Sequence, residues 1–153
     1  MADRTSSSIT IAAPKPLIMS VIADFAAYPE WATGVRSATV VQPGDGDRPA
    51  QVRFALDAGL VKDSYVLGYE WNGDEGVHWE LAEQGSMVSE MSGSYLLDVQ
   101  GAVTKVTYEL AVGVRVPMIG MMKRRAEKTI IDTALKGLKK RAEQKQAEVV
   151  GDD

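Results

Sequence analysis

The residues of this chain best suited to chemistry are phenols and indoles. Tyr65, Tyr69, Trp71, Trp79, Tyr95 and Tyr108 recur on one parity within four short runs, and Phe54 holds the same parity on a fifth. A phenol can orient a ligand by donating a hydrogen bond, or polarise a carbonyl as a general acid. Buried without a partner, its hydroxyl costs roughly 1–3 kcal/mol, so four on one concave face suit an interior that is partly wet or filled by ligand. The alternative is that the hydroxyls reach backbone or rim groups and the space is packed. Other chemistry is thin. The chain has no cysteine and 1 histidine, which excludes disulfides, thiolate nucleophiles and multi-histidine metal motifs. His78 stands between Val77 and Trp79, where parity sends it outward as a solvated side chain rather than a base. Glu70, Glu80, Glu90 and Glu109 share that outward parity, and Asp57 and Asp63, beside Arg53 and Lys62, also read as solvent charges. No two carboxylates have reason to meet inside, so paired acid–base hydrolysis of glycosides is not supported. No catalytic residue, metal or cofactor is expected.

The elements that must position the aromatic residues follow from periodicity. Ser8 to Ala12 alternates polar and apolar, as a half-buried strand does. Leu17, Ile18, Val21, Ile22 and Phe25 recur at helical spacing after Pro14 and Pro16, and Pro29 ends or kinks that helix, with a second short one through Trp31. From Val35 to Val116 the chain reads as strands joined by turns at 43–47 and 72–76, each with one apolar and one mostly polar face. No helix falls between these strands, which excludes a doubly wound parallel fold. A single helix is expected from Met118 to about Gln146, with Ile119, Met122, Ala126, Ile130, Ala134, Leu138 and Ala142 as its inner stripe. From Met122 on, that stripe repeats every four residues and drifts by about 40° per step, which would suit a curved sheet. Gly137 offers close backbone approach, room for a ligand, or neutral drift.

Charge is uneven. Residues 1–114 hold 7 Lys and Arg against 15 Asp and Glu, whereas residues 115–145 hold 10 against 3. A basic helix attracted to an acidic sheet accounts for this without nucleic acid, because the basic face lacks interleaved aromatics. No apolar run approaches the roughly 18–20 residues of a membrane span, and the start MADRTSSS has no apolar leader, so a cytoplasmic protein is expected. The length of 153 residues fits one domain, placed at 7–146 with flexible ends at 1–6 and 147–153.

Ile9-Thr10-Ile11-Ala12-Ala13-Pro14, Val21-Ile22-Ala23-Asp24-Phe25 and Tyr28-Pro29-Glu30-Trp31 together resemble the START-like (SRPBCC) polyketide cyclase/dehydrase and lipid-transport superfamily. Val116-Pro117-Met118-Ile119-Gly120-Met121 before a basic helix is similar to its small actinobacterial members. The resemblance implies an α+β helix-grip fold: about seven antiparallel strands curled around a long C-terminal helix, two short helices after the first strand, and a cavity between. Val21, Ile22 and Phe25 would face the core, and Tyr28, Pro29 and Trp31 would shape the cavity mouth. The expected lining is Trp31, Phe54, Tyr65, Tyr69, Trp79, Met91, Tyr95, Tyr108, Met122, Ile130 and Ala134, with Met118 and Met121 as further soft surface. Arg115 would sit at the rim or pair an anionic ligand. The function expected first is binding or carriage of a hydrophobic small molecule, lipid or polyketide-like. The second is a polyketide cyclase or dehydratase acting on a bound poly-ketone, and the third a quinone- or membrane-associated protein using the basic helix. Membrane contact is the least favoured, since that helix lacks aromatic anchors. A monomer or weak dimer is expected.

Overall fold

The computed structural model describes residues 4–32, 34–46, 48–58, 61–115 and 120–151. Strand β1 (Thr5–Ile11) leads through Pro14 into α1 (Lys15–Ala23), a 3₁₀ turn (Phe25–Ala27) and the four-residue α2 (Tyr28–Trp31). Proline stands in the first turn of both helices, where its missing N–H has no intrahelical acceptor to lose. Six strands follow: β2 (Val35–Gln42), β3 (Gln51–Ala58), β4 (Val61–Asn72), β5 (Gly76–Glu83), β6 (Val88–Gln100) and β7 (Val103–Val114). They form one antiparallel sheet in the order β1-β7-β6-β5-β4-β3-β2. Every connection from β2 to β7 is a hairpin. The two-residue turn between β6 and β7 has Gly101 at a φ of 66°, a backbone conformation that glycine adopts freely. Long α3 (Gly120–Gly151) closes the grip. The elements extend beyond the limits 7 and 146 drawn from sequence: Thr5 pairs with Leu110, and α3 continues to Gly151. Val116 to Ile119, including the Met118 start expected for the helix, lies outside the described residues.

The fold is a helix grip, and α3 packs on β1, β7 and α1. Its buried face runs through Glu127, Ile131, Leu135, Leu138 and Ala142. This corrects the expected inner stripe. Ala134, Leu138 and Ala142 belong to the inner side, but Met122 is 55% exposed and Ile130 47% exposed. Steps of four advance about 400° against a turn of 360°, so five steps from Ala142 back to Met122 accumulate about 200° and end on the solvent side. The helix runs with one side on the core instead of letting the sheet follow that drift.

Gly137 allows the close approach of α3 to α2: a Cβ there would lie 2.4 Å from the Trp31 carbonyl oxygen. No described helix is long and apolar enough to cross a membrane.

Candidate functional site

The concave face of the sheet carries a continuous run of aromatic rings. Phe25 from the 3₁₀ turn meets Tyr69 at 5.0 Å between centroids, and Tyr69 meets Trp79 at 5.7 Å. Trp79 touches Tyr95 at 5.5 Å and Tyr108 at 5.6 Å, and the two tyrosines meet edge-on at 4.7 Å. Phe54 stacks on Tyr65 at 6.0 Å. These spacings lie in the range where ring quadrupoles favour tilted and edge-to-face pairs. The room for Trp79 comes from its cross-strand partner Gly93, where a Cβ would fall 2.5 Å from the indole. Phe54, Tyr65, Tyr69, Trp79, Tyr95 and Tyr108 therefore meet, as their shared parity predicts. Met91 and Ala134, half-buried, pack against the core cluster that holds these rings.

The hydroxyls divide into two kinds. Tyr28 donates to the carbonyl of Ile22. Those of Tyr65, Tyr69, Tyr95 and Tyr108 have no hydrogen-bond partner among the described residues, yet the fully enclosed unpartnered side-chain atoms are Trp31 Nε1 and Arg141 Nε, not these four oxygens. The four phenols belong to an otherwise apolar core wall that offers their hydroxyls no acceptor. Burial pushes all five phenols above their ordinary value, and Tyr108 adds to the rise at Tyr28, Tyr65, Tyr69 and Tyr95. At neutral pH such groups are protonated: donors, and poor bases.

Trp31 stands apart. It packs on Tyr28 but also lines a cleft of about 770 Å³ on the far side of α1 and α2, between them, the β2–β3 loop and the end of α3. Arg115 is exposed and donates to Gln84 Oε1. His78 is exposed beside Glu70. Among the described residues no three acidic or imidazole side chains gather as a metal-ligand set.

Two acids were missed. Asp63, read as a solvent charge, is buried at 9% exposure. Its Oδ1 accepts from Ser64 N, Ser86 N and Ser86 Oγ at 2.8–3.1 Å, and its Oδ2 from Met87 N at 3.1 Å and Val88 N at 2.8 Å. Gly85 leaves room for the carboxylate, since a Cβ there would collide with it. Asp63 thus clasps the β5–β6 turn under one layer of loop backbone. Burial alone would raise this carboxyl, but the backbone donors outweigh it and hold it below the ordinary aspartate value. The other missed acid, Glu127, at 1% exposure, accepts from Thr5 Oγ1 at 2.7 Å and Val112 N at 2.8 Å and so ties α3 to β1 and β7. Its place in the four-then-three spacing with Ile131, Leu135 and Leu138 was the available signal.

Asp63→Asn should destabilise the fold by about 1–3 kcal/mol at pH 7, because its amide turns a donor toward backbone donors. A lowered folded-state value means that the carboxylate stabilises above the unfolded pKa and that this contribution fades as pH falls through the folded value. Urea midpoints of wild type and variant should converge below about pH 4; a gap that persists at low pH would refute the carboxylate's role.

Sequence comparison agrees with the geometry. The family model described as polyketide cyclase/dehydrase and lipid transport matches residues 2–143. The chain belongs to this family. Among solved structures, the family fold recurs in a START superfamily protein from Mycobacterium smegmatis, 22% identical, with a TM-score of 0.85 and coverage of 92% of this chain and 97% of that one. It recurs in the Zhui aromatase/cyclase from Streptomyces sp. R1128, 16% identical, with a TM-score of 0.74 and coverage of 94% and 95%. A protein from Thermus thermophilus is 22% identical with a TM-score of 0.74, covering 92% and 97%. At these identities the likeness to this family member is one of fold. No curated protein matches the chain.

Proposed function

We propose that this family member binds and carries a hydrophobic small molecule, lipid or polyketide-like, in the aromatic interior between the sheet and α3. The observation that carries the reading is the set of four core phenols, Tyr65, Tyr69, Tyr95 and Tyr108, without protein partners for their hydroxyls in an otherwise apolar wall. A polar group or water on the ligand side would satisfy them, while the rings and Met91 supply apolar contact. Native mass spectrometry of the protein purified from its own host tests this directly: a retained apolar molecule is the expected result. Protein that emerges empty and binds no apolar fluorescent probe would refute it.

Ala134 faces the core from α3 with a small side chain. Ala134→Phe should therefore reduce binding of the probe severalfold while far-ultraviolet circular dichroism keeps the wild-type helix and strand content. Unchanged affinity in a folded variant would remove the inner face of α3 from the site.

A second reading, a polyketide cyclase or dehydratase, is favoured by the family's description and by the aromatase/cyclase among the structural neighbours. In it the interior would fold a poly-ketone chain, and a phenol would polarise a carbonyl. Burial raises these phenols, so they keep their protons: each can donate a hydrogen bond to a ligand but neither releases nor takes up a proton readily, which favours carriage over proton-transfer catalysis.

A further inference from the structure

The cleft of about 770 Å³ beyond α1 and α2 has a composition of its own. Its apolar wall is formed by Leu17, Val21 and Phe25, by Val40 of β2 and by Pro49 in the β2–β3 loop. Two of its lining residues, one on α2 and one on α3, hold enclosed side-chain nitrogens that lack acceptors. Trp31 is 9% exposed, and its Nε1–H has no partner. Arg141 Nε is likewise enclosed and unpartnered, although Nη1 of the same side chain meets Glu30 at 3.2 Å. Lys145, one turn further along α3, lines the cleft and makes no ion pair among the described residues. Arg48 is already engaged, by the Gly73 carbonyl, the Asp74 carboxylate and the face of Trp71. The cleft's own carboxylates, Asp24 and Glu148, are exposed.

Two enclosed donors without acceptors and the unpaired Lys145, beside an apolar wall, call for a ligand with one acceptor-rich end and a hydrocarbon body. A neutral hydrocarbon would leave the donors unsatisfied, and a free inorganic anion would leave the wall uncovered. The volume lies within the roughly 300–1,000 Å³ of small-molecule pockets. We propose that this cleft is a second binding site, separate from the aromatic interior, for an amphipathic organic monocarboxylate. Its carboxylate lies against Arg141, Lys145 and Trp31, and its apolar part runs along Val21 and Phe25 toward the β2–β3 loop. Phe25 is shared between the two regions: its ring meets Tyr69 on the interior side, and the residue walls the cleft on the other.

The test is a titration followed by ¹H–¹⁵N spectra of the full chain, with decanoate as the probe and 1-decanol as its uncharged counterpart. Trp31→Phe assigns the Trp31 indole signal. Decanoate is expected to shift that signal saturably, independently of any response of the Trp79 indole, which reports the interior, and 1-decanol to shift the Trp31 signal with at least about tenfold weaker affinity. Lys145→Glu should weaken decanoate by about tenfold. Val149→Glu, at a rim residue 61% exposed and so harmless to folding, should also weaken it. Ala134→Phe, which acts on the interior, should leave the Trp31 response unchanged. Equal affinity for acid and alcohol, or indifference to both charge changes, would overturn the proposal. A shift of Trp79 without Trp31 would also overturn it, while leaving the interior carrier reading intact.

Discussion

Trp79→Ala is expected to lower the unfolding free energy by about 3–5 kcal/mol, a large share of the roughly 5–15 kcal/mol that holds a domain together. The indole stands at the junction of the aromatic run, with centroid distances of 5.7 Å to Tyr69, 5.5 Å to Tyr95 and 5.6 Å to Tyr108. It also fills the hollow over Gly93, a residue with no side chain to close that hollow itself. Removing it deletes buried area and opens a void that three tyrosines held by separate strands cannot collapse into. The pair makes a sharper prediction than either residue alone. In the wild type, Gly93→Ala drives a methyl to 2.5 Å from the indole and should destabilise. In the Trp79→Ala background the same methyl enters empty space, so its effect should vanish or reverse. A double-mutant cycle by urea denaturation reads the coupling; additive single effects would refute this packing account.

The pair also illustrates what the sequence could carry. The strands were legible because a sheet with one wet face imposes a period of two, and Tyr95 and Trp79 kept that period on either side of their turn. That Gly93 answers Trp79 was not legible, since it depends on register between β5 and β6. The long helix was legible as a helix but misread in phase. Met122 and Ile130 are apolar and four-spaced with Ala134, yet the core selects Ile131 and Leu135, one position further on. Glu127 on that face looks like an error in an apolar stripe until Thr5 and Val112, on two other elements, supply its partners. Asp63 failed in the same way. It shares the inward parity of Tyr65, but its main donors lie 23 to 25 residues downstream in a turn that only the folded chain brings back. Buried charges are hard to read from sequence because the groups that satisfy them are distant.

The variants Tyr65→Phe, Tyr69→Phe, Tyr95→Phe and Tyr108→Phe separate carriage from catalysis. None of the four hydroxyls has a protein partner among the described residues, so their loss should leave stability unchanged or slightly higher. Tyr28→Phe is the control: it breaks the bond to the Ile22 carbonyl and should cost about 0.5–1.5 kcal/mol. For ligand binding, each of the four keeps its ring and loses at most one hydrogen bond. Affinity should therefore fall by no more than about 0.5–1.5 kcal/mol, up to roughly tenfold, and unequally among the four. Trp79→Ala should cost more, because it deletes area that the ligand would cover. A cyclase would behave otherwise. There one phenol stabilises the charge developing on a carbonyl oxygen, and its removal should lower turnover by a factor on the order of 10²–10⁴ with binding barely moved. Titration and product analysis on the same five variants, using the molecule that the native protein retains, distinguish the two. Graded binding losses without product are expected. One phenylalanine variant that binds normally but makes no product, where wild type makes it, would replace the carrier with an enzyme whose proton donor is that tyrosine.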